Sequence, residues 1–271
     1  MERRTILTIS LSLGAVMLVL GWLTYARLPS SDALLDNLWE DPIQTPVDGS
    51  APERQIAAGG VLYTIKPLFN YDIKGLIVSD SRADAWDNIY HTAWNDHLNV
   101  KDICLMWGQN LYTGVYEKMH ITSGNWTCYC EFKSGTGPED WARFRSDQIS
   151  NNHLLPANDD VQRAMMSAQR GDQVEVIGYL AEYTHSGGSF RRGTSTVRDD
   201  TGNGACETIL VEHFEVLESS SRLGAYLWMF GIMTVIGSLL GFVIGFFWDA
   251  RKMMQQFEYQ QTYDVMGNPE P

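Results

Sequence analysis

The sequence predicts an α+β membrane protein in which two transmembrane helices flank one β-rich, OB-like barrel domain. Three observations carry this. Residues 5–26 and 223–248 hold no Asp, Glu, Lys or Arg, and about 20 apolar residues suffice to cross a hydrocarbon core of about 30 Å. All four cysteines and all six histidines fall between those stretches. The intervening chain alternates apolar and polar residues in runs broken by Gly and Pro, the pattern of half-buried strands.

The N-terminal anchor occupies residues 1–26. Its apolar run exceeds the roughly 7–15 residues of a signal-peptide core, and Thr24-Tyr25-Ala26 is a poor small-x-small cleavage site, so an uncleaved anchor is expected. Arg3 and Arg4 precede this span, and Arg251 and Lys252 follow the second. Basic residues next to spans stay cytoplasmic, so both termini are expected there, with the domain outside. Trp22, Tyr25, Tyr226, Trp228 and Trp248 suit the interfacial belts. In the C-terminal helix, residues 223–248, Gly237, Gly241 and Gly245 recur at four-residue spacing. Such a ladder lets another backbone approach closely. The first span (with Ser10, Gly14 and Gly21), a second copy, or another envelope protein could fill it. Neither span carries a charge, which speaks against an ion path. The cytoplasmic tail, 249–271, is polar and is expected to be disordered.

Residues 27–60 read as a Pro-interrupted linker, with a short helix over residues 31–40 burying Leu34, Leu35 and Leu38. The β-rich domain spans 61–218. Strands are expected at 61–67, stopped by Pro67, and at 71–79, bent at Gly75. Further strands are expected at 103–107, 126–132, 173–183 and 207–217. A mixed segment, 81–101, holds Trp86, His91, Trp94 and His97. A helix starts at Asp159 or Asp160, carries Val161, Ala164, Met165 and Ala168 on one face, and stops at Gly171. Strands, a short helix and two more strands make the order of an OB-like five-stranded barrel. Another small antiparallel barrel or an open α+β sheet would share that order.

The outer segment carries 28 Asp/Glu against 16 Lys/Arg. A phosphate-backbone binder needs a basic surface, so nucleic acid is not an expected partner. Cys104, Cys128, Cys130 and Cys206 suggest disulfides in an oxidising compartment. Cys128 and Cys130 point to the same side of a strand and are not expected to pair with each other. Cys104 and Cys206 are then their natural partners, in an order the sequence leaves open. The single Cys-x-Cys lacks the second pair of a zinc site, so no metal and no cofactor is expected.

Two polar loops, 149–159 and 193–207, hold the candidate chemistry. His153, Arg198, Asp199, Asp200 and Glu207 would form an acid–base site if they converge around a perturbed histidine. The plainer reading is a loop histidine bonded to backbone and a polar hairpin turn. Asp199, Thr201, Asn203 and Glu207 space like the start of a calcium loop, but the twelfth position is Leu210, where a Glu is needed. His91 and His97, with Asp96, match no metal motif, and neither Gly-x-Ser-x-Gly nor a phosphate-cradling loop is present.

The strings Ile149-Ser-Asn-Asn-His-Leu-Leu-Pro-Ala-Asn-Asp, Gly193-Thr-Ser-Thr-Val-Arg-Asp-Asp-Thr-Gly-Asn-Gly-Ala-Cys-Glu and Asp102-Ile-Cys-Leu-Met-Trp-Gly resemble segments of uncharacterised bacterial membrane-anchored proteins. The resemblance covers most of the outer domain in patches. It implies a bacterial inner-membrane setting with the domain in the periplasm, and it implies no catalytic residues. Together these readings predict a membrane-tethered periplasmic interaction or ligand-binding module, a subunit of an envelope complex. The alternative is a membrane-anchored enzyme using the five polar residues above.

Overall fold

The computed structural model describes residues 3–25, 27–48, 52–83, 93–124, 127–186, 190–200, 205–220 and 222–266. The chain forms two compact units, residues 1–27 with 221–271, and residues 28–220.

The first unit pairs α1 (Arg3–Tyr25) with a C-terminal helix, α5 (Leu223–Met266). Both are long and apolar enough to cross a membrane. Their large apolar side chains, Ile9, Val16, Trp22, Leu240 and Phe246 among them, are exposed, unlike those of a soluble core helix. What is buried is small: Gly14 and Gly21 on α1, and Gly224, Gly231, Ser238 and Gly245 on α5, each series at seven-residue spacing. A Cβ at Gly21 would lie 2.7 Å from the Trp228 backbone nitrogen, and one at Gly231 would lie 3.0 Å from that of Leu18. The seam is antiparallel. Ser238 Oγ donates to Ser10 Oγ at 3.0 Å, and Arg3 reaches the Gly245 carbonyl (3.1 Å) and Asp249 (2.6 Å). Gly241 and Gly245 thus face α1 of the same chain, whereas a Cβ at Gly237 would meet nothing. The tail expected to be disordered is helical to Met266. Residues 249–266 contain no Gly or Pro and hold four Gln and three Met, which sustain a helix.

Among its described residues the second unit contains ten strands: β1 (Ile43–Pro46), β2 (Arg54–Ala58), β3 (Val61–Arg82), β4 (Lys101–Met106), β5 (Met119–Ser123), β6 (Cys128–Phe132), β7 (Ile149–Pro156), β8 (Gln173–His185), β9 (Arg191–Arg192) and β10 (Glu207–Glu218). Short helices α2 (Gln109–Tyr112) and α3 (Pro138–Trp141) sit between strands, and α4 (Asp159–Ser167) follows β7. β3 pairs antiparallel with β4, and β4 with β7. β7 pairs in parallel with β10, β10 antiparallel with β8, and β8 antiparallel with β3. The pairing path therefore returns to its first strand. β1 and β2 add to β3, β9 adds to β8, and β5–β6 form a separate hairpin.

Several expectations change. The linker contributes two strands, β1 and β2. Its expected helix is two 3₁₀ turns, Ser31–Ala33 and Asp36–Trp39, that bury Leu34 and Leu38 but leave Leu35 at the surface. Pro67 does not end a strand: its missing N–H falls where the register with β8 shifts, between Pro67 and Phe69, and β3 runs through. The polar stretch 149–156, read as a loop, is a buried central strand between β4 and β10. The α4 cap is Asn158, whose Oδ1 accepts from the backbone of Asp160 and Val161, each at 3.0 Å. Trp86, His91 and Trp126 lie outside the described residues.

One face of the central strands presents Ile103, Leu105, Leu154, Val176, Ile209 and Val211 to Val161 and Met165 of α4. The opposite face splits. Cys104 and Met106 pack with Met119 and Ile121 of β5, while Leu155 and Leu210 pack with Tyr63 and Tyr183. Cys104 is bonded to Cys128, and Cys130 and Cys206 remain thiols. Cys104 thus joins the Cys-x-Cys pair as expected, and Cys206 does not. Cys130 packs against the same apolar cluster as Cys104, and burial pushes its thiol up to about 11.

Candidate functional site

Register decides what meets what. Asp102 of β4 lies directly opposite His153 of β7. On the other side of β7, Glu207 and Thr208 of β10 pair with Asn152 and His153. Strand alternation then sends Asp102, Asn151, His153, Cys206 and Thr208 to one face, and Asn152 and Glu207 to the other. The five residues of the alternative acid–base site do not share one face: His153 is on the first, and Glu207, with the charges of Arg198 and Asp200 acting on it, is on the other.

On the first face, His153 Nδ1 and Asp102 Oδ1 are 2.8 Å apart, both groups buried. Asn99 Nδ2 donates to the same Asp102 oxygen at 2.8 Å. The neighbouring Cys206 thiol contributes to the basicity of the His153 ring. Asn151 Nδ2 lies 3.6 Å from Cys206 Sγ. Burial pulls the His153 imidazole down, but the charge of Asp102 and its hydrogen bond outweigh burial and raise it to about 9. Burial likewise lifts the Asp102 carboxyl, and the His153 charge and the hydrogen bonds from His153 and Asn99 more than reverse that.

Arg192 of β9 borders this group, 3.5 Å from Asp96, which accepts from Tyr183 Oη at 2.7 Å. The connection that follows is lashed to the start of β10. The Ser195 N–H donates to the Cys206 carbonyl (2.9 Å), the Thr208 N–H to Thr194 Oγ1 (2.9 Å), and Thr208 Oγ1 to the Gly193 carbonyl (2.8 Å). These bonds hold half-buried Cys206 beside the histidine.

On the second face, Glu207 is buried, and its Oε2 has no hydrogen-bond partner among the described residues. Burial pushes this carboxyl up to about 8, against the opposing charge of Arg198. Arg198 donates to Tyr71 Oη and Gln44 Oε1, each at 3.1 Å, and lies over the Tyr71 and Trp107 rings at 5.3 and 5.7 Å. Asp200 accepts from Ser195 Oγ at 2.6 Å, while Asp199 is exposed. Asn152 Oδ1, cross-strand from Glu207 on this face, also lacks a partner among the described residues.

No calcium loop forms from the described members of that pattern, because Glu207 is a buried strand residue and Asp199 faces solvent; Thr201 and Asn203 lie outside the described residues. His97 is exposed and bonded to Asn95 Oδ1 at 2.8 Å. Glu175, His213 and Glu215 bring ligand atoms within 4.8 Å of one another at the surface, but Glu175 already pairs with Lys74 at 2.7 Å. The role of Asp102 and Cys206 in one cluster was missed. The available signal was period two: Asp102 and Cys104 alternate about Ile103, as Asn151 and His153 do about Asn152. Compared with known proteins, the chain matches no family, no curated protein and no solved structure.

Proposed function

We propose that the chain is a two-pass bacterial inner-membrane protein whose outer domain is an OB-like barrel, serving as a periplasmic ligand-binding or interaction module. The topology rests on the flanking basic pairs and on two helices of spanning length. The barrel reading rests on the closed pairing path. In chain order its five strands are β3, β4, β7, β8 and β10, with α4 between the third and fourth and parallel pairing of the third with the fifth. OB-folds bind oligomeric ligands on strands two and three and on the connections one–two and four–five.

One observation carries the binding reading. Strand two brings Asp102, strand three brings Asn151 and His153, and the four–five connection brings Arg192 and Cys206 to a single polar band. Acidity turns the domain away from nucleic acid and toward neutral or cationic envelope partners. The two ends of the domain also leave it side by side, which suits two short tethers. A Cβ at Gly171 would lie 2.9 Å from Ser220 Cβ and 3.6 Å from Pro29 Cδ. Tyr116 Oη holds the Pro29 carbonyl (2.6 Å), and Asp172 holds the Ser220 N–H (2.8 Å).

A photo-cross-linking residue at Val197, exposed on the four–five connection, tests this in intact cells. A discrete adduct is expected from Val197, weakened by Arg192→Ala and not seen from exposed Trp141. The same adducts from both positions, or none from Val197, would contradict the reading.

A further inference from the structure

The geometry points to a binding site for an anionic phospholipid on α5, at the level where α1 begins, with Arg251 and Lys252 holding the phosphate and an acyl chain lying on Ile244 and Phe247. The site rests on the two-pass topology proposed above and goes beyond it by naming a lipid class and the residues that select it. Three features carry it. A groove of about 590 Å³ follows this stretch of α5, lined by Ile244, Phe247, Trp248, Arg251, Lys252 and Gln255. Its lining passes from apolar to cationic along its length, and Lys252 Nζ lies 5.9 Å from the centre of the Trp248 ring. The neighbouring acid is already engaged, because Asp249 pairs with Arg3 at 2.6 Å and lies 3.7 Å from Arg4.

The arrangement follows from where α1 begins. Arg3 reaches the Gly245 carbonyl and the Asp249 carboxylate, and from Arg251 to Thr262 every residue of α5 is exposed. Asp249 is the only acid between residues 244 and 257. With Asp249 held by α1, Arg251 and Lys252 have no carboxylate partner among the described residues. The spacing of the lining residues keeps them on one helical face, and Arg251 stands about 10 Å beyond Ile244 along the axis. That puts the apolar end among acyl chains and the cations at head-group depth. A zwitterionic head group brings its own cation to this seat, whereas one with net negative charge does not, so charge complementarity selects the anionic lipid. A second copy related by a two-fold axis would set the same two cations against each other.

The test places the full chain in nanodiscs of equimolar phosphatidylglycerol and phosphatidylcholine and reads the lipid that stays bound by native mass spectrometry. Expected is retained phosphatidylglycerol, favoured at least about tenfold over phosphatidylcholine, with a preference that weakens as salt is raised. Arg251→Gln with Lys252→Gln lowers its retention about 25-fold, roughly fivefold for each basic residue at an anionic surface. Trp248→Ala weakens it about threefold with no change of charge. Arg4→Gln, whose guanidinium lies toward Asp249, leaves it within about twofold. All four substituted residues are exposed, and the cross-link of Ser10→Cys with Ser238→Cys checks that the helical hairpin survives each change.

Equal retention of the two lipids by the wild type would overturn the site, as would a double variant that holds phosphatidylglycerol like the wild type. A loss in Arg4→Gln as large as that in the pair would also overturn it, in favour of general surface charge. A dimer that falls apart on the double substitution, with no lipid retained, would overturn it in favour of a second copy. Topology is read separately, since a nanodisc offers both leaflets. With Cys130 and Cys206 replaced by Ser, Met254→Cys is expected to react with a membrane-impermeant maleimide only after the inner membrane is opened. Labelling of intact spheroplasts would overturn the cytoplasmic placement. A protected Met254→Cys without lipid preference would overturn the site alone and leave the topology standing.

Discussion

Asp102 and Glu207 lie one strand apart from β7 on either side and face opposite ways, Asp102 being 4% exposed and Glu207 6%. Burial penalises the charged form of both, yet they move in opposite directions. Asp102 falls below its ordinary range because the His153 charge, with hydrogen bonds from His153 and Asn99 to Oδ1, outweighs burial. Glu207 rises to about 8, because burial outweighs the opposing charge of Arg198, which is itself engaged by Tyr71 and Gln44. At equal depth, partners set the ionisation state. One face of the sheet is therefore built to hold separated charge, and the other to hold a neutral acid.

The largest expected effect comes from removing the partner on the charged face. Asp102→Ala leaves a buried histidine without its counter-charge and should cost about 3–5 kcal/mol in denaturant unfolding of the intact protein at pH 7. A cost below about 1 kcal/mol would mean the pair does not hold the charge. On the other face the sign reverses. Glu207→Gln should stabilise the protein by about 2–4 kcal/mol at pH 9 and do little at pH 5, because the native carboxyl is neutral there. Destabilisation at pH 9 would break the comparison.

The two faces also predict one pH trend for the wild type. His153 has its native value raised from 6.5 to about 9, so its contribution is full below 6.5 and is lost as pH rises through 9. Glu207 is raised from 4.5 to about 8, so its penalty is nil below 4.5 and grows as pH rises through 8. Both lower stability on the alkaline side, and thermal melting between pH 5 and 9 should show a steady fall. A smaller effect belongs to the helical hairpin. Cysteines replacing Ser10 and Ser238 should cross-link readily, less than about half as well after Gly21→Leu, and as before after Gly237→Leu. Equal yields would deny the close seam. The smallest is Asp199→Asn, expected within about 0.5 kcal/mol of wild type because the side chain is exposed.

These contrasts explain what was legible in the sequence. Continuous apolar runs announced the two long apolar helices, and alternation announced β8 and β10, because each signal is local. Strand β7 was not legible. Ser150-Asn151-Asn152-His153 reads as a turn until Asp102, Cys206 and Ser150 itself are seen to supply partners for its side chains across two neighbouring strands and within the strand. Pro42, Pro46 and Pro52 likewise hid β1 and β2, whose pairing is set by β3 alone. Residues His153, Arg198, Asp200 and Glu207 were picked out by polarity, but alternation, which divides them between two faces, acts only once β7 is known to be a strand. Cys206 looked like half a disulfide, since only the register reveals that its sulfur lies beside the Asn151 amide of β7.

The central claim, that one face holds separated charge through Asp102 and His153, is tested most directly by NMR titration of the intact protein in detergent with labelled histidine. The account predicts that His153 titrates with an apparent pKa near 9, belonging to the coupled pair, and drops sharply in Asp102→Asn. A value near the ordinary 6.5 that does not move on that substitution would contradict it.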